Sequence, residues 1–196
     1  VEPRKQKLDI YELIKDGQID GVEELIKSGA DVDSKAKFGL TPLCFAIFNK
    51  NQALTKLLLE NNANVNVRIE KNFTPLHLAV VTKSIEFVKI LVEKGADLNA
   101  KGDGDITPLF LAVQDKNFDI VNFLVNKGAD LNIADSKGYT PLFAAVAYNE
   151  IEIAKLLVEK NANVNMPNSD GITPLRIAKE VKNRRMVELL MKSGAK

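Results

Sequence analysis

Apolar residues return along the chain with the spacing of one side of an α-helix. Each group places them at positions i, i+3 and i+4, which lie next to one another on a helical surface. The clearest groups are Leu54, Leu57 and Leu58; Val88, Leu91 and Val92; and Val121, Leu124 and Val125. Each group therefore predicts an amphipathic helix whose apolar side is buried.

A shorter helix is predicted ahead of each of these groups, beginning at a recurring tripeptide. Thr-Pro-Leu returns every 33 residues without insertion, at Thr41-Pro42-Leu43, Thr74-Pro75-Leu76, Thr107-Pro108-Leu109, Thr140-Pro141-Leu142 and Thr173-Pro174-Leu175. The threonine hydroxyl can accept a hydrogen bond from a backbone N–H that the first helical turn leaves free. Proline at the first helical position loses no hydrogen bond and already has a helical φ angle. Each tripeptide therefore predicts a helix start.

The longer helix of each unit is followed by a residue that tolerates a left-handed φ angle, as expected at a helix C-terminus. These residues are Gly29, Asn62, Gly95, Gly128, Asn161 and Gly194, and each is followed by alanine. Similarity repeated at a fixed period predicts a stacked array of repeats. Each repeat is predicted to contain two helices and a finger loop that leads to the next repeat.

The period and these sequence motifs resemble the ankyrin repeat family, over nearly the whole chain from about Leu8 to Lys196. The resemblance implies an all-α solenoid of stacked helix-turn-helix units with finger loops. It implies one domain, residues 8–196, with six repeats at about 8–33, 34–66, 67–99, 100–132, 133–165 and 166–196. The first and last are capping repeats with a polar outer face. Residues 1–7 are polar, and we expect them to be frayed.

The chain departs from the family's usual pattern at three positions of the motif, although not in every repeat. The residue after Thr-Pro-Leu is usually histidine; here it is Cys44, His77, Phe110, Phe143 and Arg176. The residue between the two helices is usually glycine; here it is Lys50, Lys83, Lys116, Asn149 and Lys182. The finger glycine is kept as Gly39, Gly138 and Gly171 but replaced by Asn72 and Asp105. Because glycine tolerates left-handed φ best, we expect strain or an altered turn between the helices.

Composition and charge limit the kinds of partner. The formal net charge is +1, so no overall field favours nucleic acid or a membrane surface. No apolar run reaches the roughly 18 residues that a transmembrane helix needs, and no secretory signal pattern is present. The single cysteine, Cys44, leaves no internal disulfide and is typical of a reducing compartment. We therefore expect an intracellular, cytoplasmic monomer that neither binds nucleic acid nor inserts into a membrane.

The residue types that support catalysis or metal binding are scarce. His77 is the only histidine and Cys44 the only cysteine, so these ligands cannot build a zinc site. The two positions lie one repeat apart, and a nucleophile–base pair is one interpretation. That pair lacks a third, orienting group, and the resemblance implies that His77 forms hydrogen bonds within its repeat. We predict structural roles for both residues, no cofactor or metal, and no enzymatic activity.

The resemblance implies that a protein partner binds the finger loops and first helices, which line the concave face of a curved array. In the family, contacts commonly come from residues beside the finger glycine and from the ends of the first helices. The matching residues are Phe38, Leu40, Phe48, Phe73, Val81, Ile106, Tyr139 and Tyr148. Exposed apolar patches often mark interaction sites, so we predict an aromatic-rich binding stripe. The alternative is that finger residues such as Leu40, Ile106 and Ile172 pack against neighbouring fingers.

The function implied by the resemblance is a non-enzymatic scaffold or adaptor that binds another protein. A second hypothesis is a regulatory or targeting domain of a larger enzyme, channel or toxin, because the chain begins with Val1 rather than methionine. An effector of an intracellular pathogen is a third hypothesis, and it would still be a binding module. Fold class by itself does not decide among them.

Four asparagines resemble targets of the asparaginyl hydroxylase that acts on ankyrin repeats. Each lies eight residues after a leucine, in a stretch that ends with Asn66, Asn99, Asn132 or Asn165. The alternative is that these side chains only tie each loop to its neighbours.

The last repeat is the one strongly charged part of the chain. From residue 176 onward its basic residues are Arg176, Lys179, Lys182, Arg184, Arg185, Lys192 and Lys196, against Glu180 and Glu188. A solvated capping face and a docking patch for an acidic partner are both consistent with this pattern.

Overall fold

The computed structural model describes residues 9–196; Leu8 and the segment 1–7, which we expect to be frayed, lie outside the described residues. Every regular element within residues 9–196 is helical. The α-helices are α1 (Ile10–Lys15), α2 (Ile19–Lys27), α3 (Pro42–Phe48), α4 (Gln52–Glu60), α5 (Pro75–Val81), α6 (Ile85–Glu93), α7 (Pro108–Gln114), α8 (Phe118–Asn126), α9 (Pro141–Ala147), α10 (Ile151–Glu159), α11 (Pro174–Glu180) and α12 (Arg184–Lys192). Three fingers also contain a short turn with positive φ angles, at Lys37–Gly39, Glu70–Asn72 and Asp103–Asp105.

The helices pack in pairs, and the pairs stack in chain order. Each odd-numbered helix, the first helix of its repeat, packs against the even-numbered second helix that follows it. The first helices also pack on one another in the order α1, α3, α5, α7, α9 and α11. One continuous apolar core runs through all the pairs. The predicted all-α solenoid of helix-turn-helix units is therefore confirmed.

The first helices begin where the tripeptides predict. Thr107 Oγ1 accepts a hydrogen bond from Phe110 N–H at 3.2 Å, and Thr140 Oγ1 accepts from Phe143 N–H at 3.1 Å. Proline occupies the first helical position from α3 onward, in every first helix after α1. The cap satisfies a backbone donor that would otherwise be buried without a partner, since these threonines are almost fully buried.

The second helices end in a turn that explains why alanine recurs. After α4, Asn62 has φ 62° and its N–H donates to Leu59 O at 3.3 Å. The N–H of the next residue, Ala63, donates to Leu58 O at 3.0 Å. This pair of bonds is the Schellman arrangement, which needs a left-handed residue at its centre. Ala63 is then only 7% exposed, so its position accepts a small apolar side chain.

The residues that replace glycine between the two helices all adopt the strained conformation. Lys50, Lys83, Lys116, Asn149 and Lys182 have φ angles between 53° and 61°. Their side chains form links between neighbouring repeats in three cases: Lys83 to Asp115 at 3.8 Å, Lys116 to Glu150 at 2.8 Å, and Asn149 to Asn183. The two lysine–carboxylate pairs are exposed and contribute about 0–1 kcal/mol each, so they offset part of the conformational cost at Lys83 and Lys116.

Gly138 is a glycine at which both the backbone conformation and a neighbouring backbone oppose a side chain. It has φ 79°, and a Cβ atom placed on it would lie 2.7 Å from the backbone nitrogen of Ser169 in the next finger. Gly171 occupies the same turn position in that next finger with φ 74°, but nothing lies within 4 Å of its Cβ direction. We expect Gly171→Ala to lower the free energy of unfolding by about 1 kcal/mol, the cost of left-handed φ alone.

For Gly138→Ala the expected loss is about 2–3 kcal/mol, because the finger link from Ser169 N–H to Lys137 O, 3.0 Å long, is also disrupted. Urea unfolding followed by circular dichroism measures both values. Equal losses in the two variants would show that the close approach of the two fingers has no energetic weight.

Candidate interaction surface

Each finger is a short hairpin closed by a backbone hydrogen bond across its base. In the third finger Gly102 N–H donates to Ile106 O at 2.8 Å, and the other fingers have the equivalent bond. The first three fingers have two consecutive residues with positive φ, as a type I′ turn requires. These pairs are Phe38-Gly39, Lys71-Asn72 and Gly104-Asp105.

The fourth and fifth fingers turn with the help of a side chain instead. Asp135 Oδ1 accepts from the backbone N–H groups two and four residues later, at 2.9 and 2.8 Å. Asn168 Oδ1 does the same in the fifth finger, at 3.1 and 2.9 Å. Only the glycine of each of these fingers, Gly138 or Gly171, has a positive φ. These side chains therefore take over part of the turn that the backbone makes alone in the first three fingers.

Neighbouring fingers are joined by hydrogen bonds from the second finger to the fifth. The links are Ser136 N–H to Gly104 O (2.8 Å), Ser169 N–H to Lys137 O (3.0 Å) and Arg68 Nη1 to Lys101 O (2.8 Å). Several backbone groups of these fingers are thereby bonded within the stack. The surface that the finger row exposes to solvent is therefore formed mainly by side chains.

Phe38 combines exposure with an unusual backbone. Its φ angle is 63° and 56% of its surface is exposed. Left-handed φ is uncommon for bulky residues, and an exposed ring gains nothing from the core that would offset the strain. The Lys37 ammonium lies 5.1 Å from the ring centroid and keeps one ring face partly covered. Strain of this kind is found at functional positions, which makes Phe38 the most unusual residue of the finger row.

Four of the predicted binding residues are exposed, and they lie on the finger tips or at the ends of first helices. Their exposed fractions are 56% for Phe38, 67% for Phe48, 48% for Val81 and 38% for Tyr148. We call this side of the array, made of the fingers and the outward positions of the first helices, the finger face. Other exposed large apolar residues lie elsewhere, as Ile19 and Phe118 do at the start of second helices.

The other four predicted binding residues are half-buried and contact their own repeat or a neighbour. Phe73 stacks on His77 and Tyr139 stacks on Phe143, each with ring centroids 4.8 Å apart. The Leu40 carbonyl accepts from the Tyr11 hydroxyl at 3.0 Å. The Ile106 carbonyl accepts a hydrogen bond from His77 Nε2 at 3.0 Å. These contacts favour the alternative in which the finger row packs on itself, and partner binding by these four residues stays a prediction.

The first helices differ from one another in the size of the side chains that they place on the finger face. Two outward positions, four and seven residues after each threonine, hold large side chains in most repeats. The first position holds Phe45, Leu78, Leu111, Ala144 and Ile177, and the second holds Phe48, Val81, Gln114, Ala147 and Glu180. Only α9 has alanine at both. Tyr148 follows one residue later, so it does not continue the row of Phe48 and Val81 as the sequence interpretation implied.

A pocket of about 330 Å³ lies where those two alanines stand. Ala144 and Ala147 line it, and we call it the alanine pocket. Its other lining residues are Phe110, Tyr139, Phe143, Tyr148, Asn168, Asp170, Ile172 and Ile177. They come from three consecutive first helices and two fingers. The binding stripe predicted from the sequence consists of large apolar residues, so it did not include this pocket. The sequence signal for the pocket is the replacement of two larger side chains by alanine at the outward positions of α9.

His77 is built into the stack. Its Nδ1 accepts from Thr74 N–H at 3.1 Å, which leaves the proton on Nε2, and Nε2 donates to Ile106 O at 3.0 Å. The ring is fully buried, and burial lowers its pKa to about 4. The predicted hydrogen bond within the repeat is present, and a second one reaches the next finger. Each ring nitrogen of this neutral imidazole takes part in a hydrogen bond, so neither is free for proton transfer.

Cys44 is equally enclosed. Its thiol is fully buried, and Thr41 Oγ1 donates to Cys44 Sγ at 3.5 Å. Burial raises the pKa of the thiol, which disfavours the thiolate that would act as a nucleophile. The structure therefore gives Cys44 the environment of a small apolar core residue.

The four asparagines of the predicted hydroxylation sites join consecutive repeats. Their Oδ1 atoms each accept from a backbone N–H located 31 residues later, at 2.8–3.0 Å. The asparagines are Asn66, Asn99, Asn132 and Asn165, and the donors are Asp97, Asp130, Asn163 and Lys196. The side chains thus tie the loops to their neighbours. Hydroxylation at these residues stays a prediction.

The basic side chains of the last repeat are exposed on α11 and α12. Arg176 pairs with Glu180 at 3.0 Å. A depression of about 470 Å³ is lined by Lys179, Lys182, Arg184, Val187 and Glu188. Both interpretations of this surface, a solvated cap and an acidic-partner patch, remain consistent with the structure.

Two further observations concern the part of the chain that the structure describes. No three His, Cys, Asp or Glu side chains in residues 9–196 come together in a way that suits a metal ion. Over the same residues, the helices are too short and too polar for any of them to cross a bilayer.

Comparisons with known proteins agree with this architecture. A family model for ankyrin repeats, three copies long, matches residues 10–102 and again residues 109–196. The crystal structure of an ankyrin repeat domain from Acinetobacter baumannii AYE superposes with a TM-score of 0.90 at 26% sequence identity, covering 95% of this chain and 98% of that one. The ankyrin repeat domain of Bcl-3, a member of the IkappaB protein family, superposes with a TM-score of 0.86 at 26% identity, covering 93% and 81%. A search of curated proteins found no match. Because the family model accounts for most of the sequence, this chain belongs to the ankyrin repeat family.

Proposed function

We propose that this chain is a non-enzymatic scaffold or adaptor that binds a protein partner through its finger face, the side that the family resemblance predicts to be concave. Ankyrin repeats are a general protein-interaction fold, which gives the broad class. The observation that supports the choice of face is the set of exposed apolar residues on it: Phe38, Phe48, Val81 and Tyr148. Large apolar side chains left in water along one face of a stacked array mark an interaction site.

The energetics of these side chains suit a binding face. Fully burying a side chain of this size against a partner contributes about 1.5–3 kcal/mol. Phe48, which is 67% exposed, has most of that contribution still available. Aromatic residues also concentrate binding energy into a few positions. Phe38 adds a ring whose strained backbone already holds it at a finger tip, so little ordering is needed on binding.

A non-enzymatic role is supported by the state of the two residues with the strongest chemical reactivity. Cys44 and His77 are fully buried, and their polar atoms are engaged within the stack. No substrate can reach either without opening the array. The alternative is that the same face belongs to a regulatory or targeting domain of a larger enzyme, channel, toxin or pathogen effector. The full reading frame discriminates, since such a protein would have a further catalytic or membrane segment.

The test is a pair of substitutions on the finger face. A partner is first identified by capture on the array and mass spectrometry, and its affinity is then measured by calorimetry. Phe48→Ala combined with Tyr148→Ala is expected to weaken binding by at least about tenfold, which is 1.4 kcal/mol. Helicity and melting should stay unchanged, because both side chains are exposed.

Phe118→Ala provides the matched control, since Phe118 is 43% exposed but begins a second helix away from the finger face. Its affinity should stay within about twofold of the parent. If Phe48→Ala with Tyr148→Ala also stays within that range, the finger face is not the interface, and the basic last repeat becomes the next surface to test.

A further inference from the structure

The alanine pocket differs from the rest of the finger face because two side chains are missing from a regular row. Every other repeat with a Thr-Pro-Leu start places a larger residue at the position of Ala144, and every one places a larger residue at that of Ala147. Their shortness opens about 330 Å³, at the lower end of the range of roughly 300–1,000 Å³ for ligand pockets. Room of that size suits one bulky side chain rather than a whole helix.

The walls of the pocket favour an aromatic occupant. Phe110, Phe143, Tyr139 and Tyr148 line it, and Tyr139 already stacks on Phe143. Aromatic rings gain from edge-to-face or offset contacts with one another beyond the area they bury. A small aliphatic side chain would leave part of the wall without contacts.

Asn168 supplies a polar group with unused donors. The residue is only 6% exposed. Its Oδ1 accepts from two backbone N–H groups, which fixes the orientation of the amide because nitrogen could not accept them. Within residues 9–196 its Nδ2 makes no hydrogen bond, yet no fully enclosed side-chain nitrogen or oxygen there lacks a partner. The Nδ2 group therefore reaches solvent, and the alanine pocket is the opening that Asn168 lines.

The charge at the rim of the pocket further limits which side chains a partner can place there. Asp170 is the only charged residue among those lining the pocket, and it is exposed. A carboxylate in that place favours a cationic group nearby and disfavours an anionic one. The occupant should therefore have a basic residue next to its aromatic residue.

We propose that the alanine pocket binds one aromatic side chain of an extended peptide, next to a basic residue that faces Asp170. A backbone carbonyl beside the aromatic residue accepts a hydrogen bond from Asn168 Nδ2. The peptide is extended because the carbonyls within a helix are already bonded to its own N–H groups. This inference rests on the proposed function and names the chemistry of the partner at one point of the finger face.

The test uses short blocked peptides and needs no natural partner. The chain contains no tryptophan, so the indole fluorescence of acetyl-Lys-Trp-amide reports on the peptide alone. Titration with the array should give a saturable shift of the emission to shorter wavelengths as the indole leaves water. Acetyl-Glu-Trp-amide should bind several-fold more weakly, and Asp170→Asn should remove that difference.

Two variants fill the pocket. Ala144→Leu introduces the side chain that Leu78 and Leu111 place at the same position, and Ala147→Leu adds bulk at an exposed position of the same helix. Each should weaken peptide binding by at least about tenfold without lowering the melting temperature. Ala53→Leu is the matched control, the same enlargement at an exposed position of the second helix α4, and it should leave peptide binding unchanged.

A third variant addresses the hydrogen bond. Asn168→Asp keeps the acceptor that the finger needs, since Asp135 makes the same two bonds in the finger before, but it removes the donors. Neutral acetyl-Trp-amide should bind this variant roughly threefold to tenfold more weakly than it binds the parent array.

Two results would overturn the inference: no saturable binding by the parent array, or equal binding by Ala144→Leu and the parent. Its failure is separable from failure of the proposed function. A natural partner that loses affinity with Phe48→Ala but not with Ala144→Leu would leave the finger face as the interface and remove the pocket from it. Peptide binding that depends on Ala144, with no effect of Phe48→Ala on a partner, would leave the pocket and remove the broader face.

Discussion

Replacing Leu91 with alanine is expected to lower the free energy of unfolding by about 2–5 kcal/mol. Leu91 lies in α6 and is fully buried, where α6 packs against α5 of its own repeat and α8 of a neighbour. Removing the end of the side chain removes apolar contacts and leaves a cavity that rigid helices can close only in part. Because Leu91 belongs to the continuous core, we expect the loss to weaken packing within its repeat and with the neighbouring repeat.

The measurement is urea unfolding followed by circular dichroism, with Lys89→Ala as the control. Lys89 is an exposed residue of the same helix, so its substitution should change the free energy by no more than about 0.5 kcal/mol. The parent array should unfold in one or two cooperative transitions, since neighbouring repeats stabilise one another. A loss below about 1 kcal/mol for Leu91→Ala would show that Leu91 is not part of the core between repeats.

Helix starts and ends could be predicted from the sequence because short-range chemistry decides them. Thr107 and Pro108 set the start of α7 through a side-chain cap and a fixed φ angle, and neither depends on distant residues. Gly128 and Asn161 likewise mark helix ends through their own tolerance of left-handed φ. The 33-residue period then predicted where each first helix after α1 begins, because the same local signal recurs in each copy.

Features that depend on contact between repeats were harder to predict. Gly138 and Gly171 occupy the same position of the motif, yet only Gly138 approaches the backbone of the next finger closely. The lysines between the helices were expected to be strained or to change the turn, and only the structure shows that they keep the turn with positive φ. These distinctions depend on how neighbouring loops pack, which the sequence of one repeat does not determine.

The alanine pocket was missed for a different reason. Alanine is common in the core of this array, as at Ala112 and Ala145, so Ala144 and Ala147 look ordinary one at a time. Only their position in the row, compared with Phe45 and Leu78, shows that side chains are absent. The unused donors of Asn168 could not be foreseen either, because its role depends on how the fifth finger closes.

Acidification should destabilise the array through His77. The free histidine has a pKa near 6.5, and in the folded array the pKa is lowered to about 4, mainly because burial disfavours the charged ring. Arg68 also lowers the pKa, whereas the hydrogen bond to the Ile106 carbonyl and the charge of Asp97 act in the opposite direction. Nδ1 of the neutral ring accepts from Thr74 N–H, and protonation at Nδ1 would remove that acceptor.

The sign follows from which state binds the proton. Between pH 6.5 and about 4 the unfolded chain is protonated at His77 while the folded array is not, so protons favour unfolding. The contribution of neutral His77 to stability is fully present above pH 6.5 and is lost progressively down to about pH 4. At 1.36 kcal/mol for each pKa unit, the loss over this window is about 3 kcal/mol.

His77→Phe isolates this effect from the titration of carboxylates elsewhere. Phenylalanine occupies the equivalent positions at Phe110 and Phe143, so the array should accept it, although the Ile106 carbonyl loses its donor. The variant is expected to be less stable than the parent at neutral pH and to lack the histidine-dependent slope. The stability difference between parent and variant should therefore shrink by about 3 kcal/mol as the pH falls from 6.5 to 4. Urea unfolding at a series of pH values measures it, and parallel curves for the two proteins would mean that His77 is not held neutral by burial.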